Sequence, residues 1–199
     1  MCFFCNLEKI LFHIFQSLTA KIDCQSCNKL KKFLYCFCFL FTLLCKGQSD
    51  LSISVHQDLR MLFVGDERGN GMFTPDILTK LEVDTFNFTN SKVIIYIGLE
   101  YADLVGSNFK RIIIGLGYIH EFSFLPKFNF GVLIDHGLIL RNMGKFMGMS
   151  ANLEMNYAVT KKLRASIIYQ AIDRSDLTET YNTYKNIKGS VFLGLKIGL

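Results

Sequence analysis

The stretch FMGMSANLEMNYAV, Phe146 to Val159, decides the fold class. Its odd positions are Met147, Met149, Ala151, Leu153, Met155, Tyr157 and Val159. Its even positions are Phe146, Gly148, Ser150, Asn152, Glu154, Asn156 and Ala158. Apolar residues recur at every second position, the period of a β-strand whose successive side chains face opposite sides. One face of this strand is greasy along its whole length, and the other is small and polar.

The same reading extends outward from this strand. Lys92 to Leu104 sets Val93, Ile95, Ile97, Leu99 and Tyr101 against Gly98 and Glu100, and the pattern returns in Arg111–Phe122, Phe128–Arg141, Leu163–Asp173 and Ile187–Leu199. The predicted strands are 51–64, 78–88, 92–102, 110–122, 128–141, 146–159, 163–173 and 184–199. In the second, Leu81 and Val83 share a face while Phe86 and Phe88 change sides, which predicts a bulge. The connectors alternate between longer and shorter, as in an up-and-down barrel with loops on one rim and tight turns on the other. Only 2 Pro occur in the chain, and Pro126 falls in a predicted turn, where no ladder bond is lost. The predicted fold is all-β: an eight-stranded antiparallel up-and-down transmembrane β-barrel with a polar, side-chain-filled lumen.

The transmembrane polarity follows from the two faces. The apolar one is too bulky to fill the inside of an eight-stranded barrel, as a soluble lipocalin-like carrier would require. The polar one carries Gly98, Gly115, Gly117, Gly131, Gly137, Gly148, Gly194 and Gly198. Glycine weakens a solvated strand but suits a wall that faces a crowded lumen. The same face carries the acids Asp58, Glu82, Asp84, Glu100, Glu121, Asp135 and Glu154. Its bases are Arg60, Arg111, Arg141, Arg164, Arg174, Lys188 and Lys196. Buried charges must be paired, so a lumenal ionic network is expected, built from Asp58, Arg60, Glu100, Arg111, Glu121, Asp135, Arg141, Glu154, Arg164, Lys188 and Lys196.

The first quarter of the chain differs. All 7 Cys lie at or before Cys45, and 6 of the 22 Lys and Arg but only 2 of the 17 Asp and Glu lie in residues 1–47. Lys31 and Lys32 precede a mostly apolar run, Phe33 to Cys45, followed by Lys46, Gly47 and Gln48. A basic stretch, a short apolar stretch and small residues before a cut describe a secretory signal peptide. A thirteen-residue helix rises only about 20 Å, short of a hydrocarbon core about 30 Å thick. The expected organisation is 1–29 as a mis-assigned upstream start or removed extension, 30–47 as the signal peptide, and 48–199 as the barrel. The rival reading of the extension is a zinc site, since Cys2-x-x-Cys5 and Cys24-x-x-Cys27 have four-cysteine spacing.

Over residues 31–199 the chain resembles the small outer-membrane β-barrel proteins of Gram-negative bacteria, most of all the eight-stranded ones of Bacteroidetes-type genomes. The resemblance rests on the signal ending Lys46-Gly47-Gln48, the eight amphipathic segments and a mature part without cysteine. Such barrels commonly end in an aromatic residue that the assembly machinery reads. This chain ends Gly198-Leu199, with the alternation Val191, Leu193, Leu195, Ile197, Leu199 intact. The resemblance implies export to the outer membrane, with outer-membrane lipid and the barrel-assembly machinery as partners and a monomeric state. Some eight-stranded relatives are lipid A deacylases or acyltransferases with a catalytic His near the outer leaflet, and His136 is the candidate here. The deacylase-like pattern wants a Ser two residues on, where this chain has Leu138. His56 is expected in the lumen and His120 near the turn rim, both structural.

Other chemistry is sparse. Asp66-Glu67-Arg68-Gly69-Asn70-Gly71 opens like a calcium loop but has Arg68 and Ile77 where ligands belong, so it is expected to be a plain turn. No cofactor motif is present. The net charge of +5, without a Lys/Arg block, gives no reason to expect nucleic acid as a partner. The expected function is a non-enzymatic integral outer-membrane barrel: an anchor, a surface-interaction protein or a narrow channel. The alternatives are a lipid-modifying outer-membrane enzyme and a soluble carrier.

Overall fold

A computed structural model describes residues 50–66, 69–105, 108–142, 144–177 and 187–199. The predicted signal segment and the cysteine pairs lie outside these residues. Eight strands follow in order: β1 (Leu51–Asp58), β2 (Asp76–Asn87), β3 (Ser91–Ala102), β4 (Phe109–Glu121), β5 (Phe128–Arg141), β6 (Gly144–Ala158), β7 (Leu163–Asp173) and β8 (Ile187–Gly198). Each pairs antiparallel with the next, and β8 returns to pair with β1, closing an up-and-down barrel. Closure removes the open edges a flat sheet would leave.

The period-2 pattern dictates what faces where. Ile97, Leu99, Ile112, Ile114, Leu116, Ile134, Met149 and Leu195 are all exposed on the outer wall. The intervening residues are buried inside. This is the reverse of a soluble carrier, whose apolar residues would point inward. Towards the turn rim the outer wall carries Phe86, Phe88, Tyr118, Phe124, Phe130 and Tyr157, an aromatic girdle of the kind that sits at a membrane interface.

The lumen is filled, and not by polar groups alone. Leu78, Ile94, Tyr96, Ile113, Ile119, Leu133, Ile168 and Phe192 form one apolar cluster within it. Ala102, Phe109, Ile139 and Ile172 form another at the loop end, with Leu104 and Phe146 against it. The inward glycines make room for these side chains. A Cβ on Gly115 would come within 2.6 Å of the Tyr96 hydroxyl, and one on Gly194 within 2.6 Å of the His56 ring. Both distances are far inside contact, so both side chains depend on the bare backbone opposite them.

Several boundaries differ from the sequence reading. The first strand stops at Asp58 instead of reaching Val64, because Asp58 turns the chain. Its carboxylate accepts the backbone N–H groups of Arg60 at 2.7 Å and Met61 at 3.1 Å and caps a short helix, α1 (Leu59–Phe63). The pairing of β2 with β3 shifts register between Asp84 and Phe86, where the sequence predicted a bulge. The fifth connector, 142–143, is the tightest on the loop rim and breaks the expected alternation of lengths.

Candidate functional site: the lumen and its mouth

At the centre of the lumen four charges form a ring. Lys80 and Glu82 come from β2, Glu154 from β6 and Lys196 from β8. Lys80 bridges Glu82 at 3.0 Å and also pairs with Glu154; Lys196 pairs with Glu82 and reaches Glu154 at 3.2 Å. The register explains the convergence. Ser54 on β1 lies directly between Lys80 and Lys196, and its short side chain lets both lysines reach inward across it. Glu154 is 0% exposed, and Asn156 donates to its Oε1 at 2.8 Å. Two ammonium and two carboxylate groups balance in charge, which lets a dry interior hold all four.

Towards the loop rim lies a second cluster. Arg111 on β4 pairs with Asp135 on β5 and stands 3.5 Å from Glu100 on β3. Asp135 also accepts hydrogen bonds from the Tyr96 hydroxyl at 2.8 Å and from Asn152 at 2.7 Å. The Arg111 side chain packs closely on β5 because position 137 is glycine; a Cβ there would sit 2.6 Å from its Nε.

A third cluster lies at the mouth. Asp176, in the connector after β7, accepts from Arg174 at 2.8 and 2.9 Å and from Arg141 at 3.0 Å. Both guanidinium groups lie over the Phe109 ring, Arg174 at 4.1 Å and Arg141 at 5.3 Å. Leu177 and Met61 are buried at this end. Burial alone would raise the carboxyl of Asp176; the hydrogen bonds and charge of Arg174 and Arg141 outweigh it and hold the group below the usual carboxylate range. The loops are tied to one another as well. Asn70 accepts the Val105 N–H at 2.6 Å and donates to Asp66 at 2.7 Å, so these two residues of the calcium-like sequence bond to each other.

The residues expected in one network divide among several places. Glu154 and Lys196 belong to the central ring, and Glu100, Arg111 and Asp135 to the second cluster. Arg141 belongs to the mouth. Arg164 and Glu121 meet at the turn rim, 3.8 Å apart and 31% and 51% exposed. Three assignments need correction. Asp58 is buried but serves as a helix cap. Arg60 is exposed on α1, outside the strand pattern that had turned it inward. Lys188 is exposed at the start of β8, at the mouth instead of in the lumen. Lys80, Tyr96 and Asn152 were missed. Lys80 shares the parity of Glu82 and could have been found, but the bulge had made β2 the least readable strand. Asp176 carries no periodic signal, because it follows the last residue of β7.

The histidines also separate. His56 is 1% exposed in the lumen, and neither of its ring nitrogens has a hydrogen-bond partner among the described residues. His120 stacks on Tyr118 and meets Phe122 edge-on near the turn rim. His136 projects from the outer wall between Ile114 and Met149, while the adjacent Asp135 points into the lumen. No carboxylate or hydroxyl bonds to His136 among the described residues, so the geometry assembles no acid–base pair around it.

No protein-family model and no curated protein matches the chain. Solved structures do. The Yersinia pestis outer membrane protein Ail, in a phospholipid bilayer nanodisc, aligns at 12% identity with a TM-score of 0.50, covering 76% of this chain and 99% of that one. Neisserial surface protein A aligns at 13% identity and TM-score 0.46, covering 76% and 96%. A de novo designed transmembrane β-barrel aligns at 10% identity and TM-score 0.40, covering 76% and 94%. At such identities the likeness to Ail is one of fold, and it agrees with the strand order, the antiparallel pairing and the outward apolar face: the chain has the closed eight-stranded fold of a small outer-membrane β-barrel.

Proposed function

We propose that the protein is an integral outer-membrane barrel without a water-filled pore, a membrane anchor that presents its loop rim as a surface-interaction face. The observation that carries this reading is the pairing of an apolar outer wall with a blocked interior. The neutral Lys80–Glu82–Glu154–Lys196 ring spans the lumen from β2 to β6 and β8, and the Arg141–Asp176–Arg174 cluster roofs the loop end. An eight-stranded barrel is just wide enough for side chains to fill it. In this reading the segment 30–47 directs export from the cytoplasm of a Gram-negative, Bacteroidetes-type cell and is removed. Barrel-assembly machinery inserts the chain as a monomer, and with an even number of strands both ends face the periplasm.

Two measurements test it. Membrane fractionation with heat-modifiable gel mobility should find a folded barrel in the outer membrane, and planar-bilayer recording should find no large stable conductance. A folded, conducting protein would replace the anchor with a channel; a soluble one would remove the membrane reading. Biotin labelling of intact cells should reach tags inserted in the β1–β2 or β7–β8 connectors and miss one at Thr160. The opposite pattern would invert the topology.

A further inference from the structure

The outer wall is not uniform. Between β2 and β6, near the loop end, it is indented by an open groove of about 540 Å³. Its walls are the outward side chains Leu99, Ile112, Ile114, Leu138 and Met147, with His136 beside them. Gly98 and Gly137, whose open positions face the lumen, also line it. Thr79, also on the groove, uses its hydroxyl to donate to the Leu99 carbonyl at 3.1 Å.

Directly towards the loop rim from these walls runs a single cross-strand row. Tyr101 on β3 lies opposite Lys110 on β4, Lys110 opposite Leu140 on β5, and Leu140 opposite Lys145 on β6. Both lysines are exposed. They stand two strands apart, roughly 10 Å at the backbone, with a leucine between them. Two flexible side chains at that spacing can converge on one anion. The Tyr101 ring lies 5.9 Å beneath the Lys110 ammonium, which holds that charge at the outer surface instead of releasing it to the loops. No carboxylate pairs with Lys110 or Lys145 among the described residues. Three other barrel lysines do have such partners: Lys80 and Lys196 in the ring, and Lys92 with Asp84 at 2.7 Å.

An apolar groove with two uncommitted ammonium groups at its upper edge is complementary to a molecule with an anionic head and hydrocarbon tails. We propose that the outer face of β3–β6 is a site for a phosphorylated lipid, its phosphate held between Lys110 and Lys145 and an acyl chain lying in the groove over Ile112, Leu138 and Met147. The inference rests on the membrane reading above. It adds that one lipid of the surrounding bilayer is selected by charge and retained.

The test uses the full chain folded in neutral detergent, with bound lipid counted by native mass spectrometry. The probes are dioleoyl phosphatidylglycerol, dioleoyl phosphatidylcholine and glycerol 3-phosphate. One phosphatidylglycerol per barrel should be retained roughly tenfold more tightly than phosphatidylcholine, because both headgroups carry one phosphate but the choline cation of the second neutralises it and is repelled by the two ammonium groups. Glycerol 3-phosphate should not displace it. K110Q/K145Q should erase the preference, while K161Q/K162Q, which removes the same charge from the exposed turn between β6 and β7, should keep it. Equal retention of the two lipids, displacement by glycerol 3-phosphate, or equal loss in both double variants would overturn the site. Heat-modifiable mobility of the same samples separates the two readings. A folded barrel without preference removes only the lipid site, whereas a chain that forms no barrel removes the membrane reading and the site with it.

Discussion

The ring at the centre of the lumen and the cluster at its mouth are both made of paired charges, yet they hold different things together. The ring joins β2, β6 and β8, strands from opposite walls, and sits where water does not reach. The mouth cluster joins the end of β5 to the connector after β7, within a few residues of solvent. A charge left alone in the ring has nowhere to go. A charge left alone at the mouth can be hydrated by a small outward movement of the connector. The lesson is that the cost of breaking an ion pair is set less by its geometry than by how far the protein must open to let water in.

The sharpest way to break the comparison is Glu154→Gln, which leaves Lys80 and Lys196 to share Glu82. Urea unfolding in liposomes, followed by heat-modifiable mobility, should show a loss of about 3–5 kcal/mol. The double variant Lys80→Met/Glu154→Leu leaves the neutral Lys196–Glu82 pair and should recover most of that loss, because a well-packed apolar pair can replace a buried ionic one. If the double variant is as unstable as the single, packing and not charge balance explains the ring.

Asp176→Asn should cost less, about 1–3 kcal/mol, and the loss should be local. Hydrogen exchange at the Leu177 amide should quicken while global unfolding stays near wild type. This pair also has a pH signature. The Asp176 carboxyl is held below its ordinary value, so its contribution is fully present above the unfolded pKa of about 3.9 and is lost as pH falls through the lower folded value. Protease nicking of the β7–β8 connector should therefore rise on acidification below about pH 4 in the wild type and stay flat in Asp176→Asn. A rise of equal size in both would assign the acid sensitivity elsewhere.

Two small effects bound the scale from below. Phe73 is 73% exposed and holds a φ of 62°, a left-handed conformation that costs a non-glycine residue about 1–2 kcal/mol. Phe73→Gly should relieve part of that strain and leave stability unchanged or slightly raised. A clear loss would mean that the aromatic ring makes a contact worth more than the strain. Lys145→Ala, on the outer rim, should change stability by less than about 0.5 kcal/mol.

How much of this was legible in the sequence depends on whether a residue lies within a strand. Phe146–Val159 could be read because side-chain direction in a strand depends on parity alone, and parity survives without knowledge of neighbours. The same rule put Glu100, Arg111, Asp135 and Glu154 on the inner face. It failed at Arg60, because Asp58 caps a helix and ends the alternation. It was silent on Asp176, which belongs to no period. It also could not say which inward charges meet, since that depends on register between strands. Lys80 and Lys196 lie far apart in sequence and are brought together only by the small Ser54 between them. Nor could parity reveal the apolar clusters inside: Ile94, Ile113 and Leu133 occupy inward positions in segments where nearly every residue is apolar.

The seam between β1 and β8 has a consequence for how the molecule comes into being. It pairs Ser52 with Gly198, nearly the two ends of the described chain. Contacts of such long sequence separation carry the largest closure entropy and form late. Lys196 arrives with that last strand, so until β8 docks, Glu82 and Glu154 have only Lys80 between them. A barrel that still lacks β8 therefore carries an excess negative charge in its interior. Docking of the last strand thus supplies both the hydrogen bonds that close the barrel and the cation that balances the charge inside it.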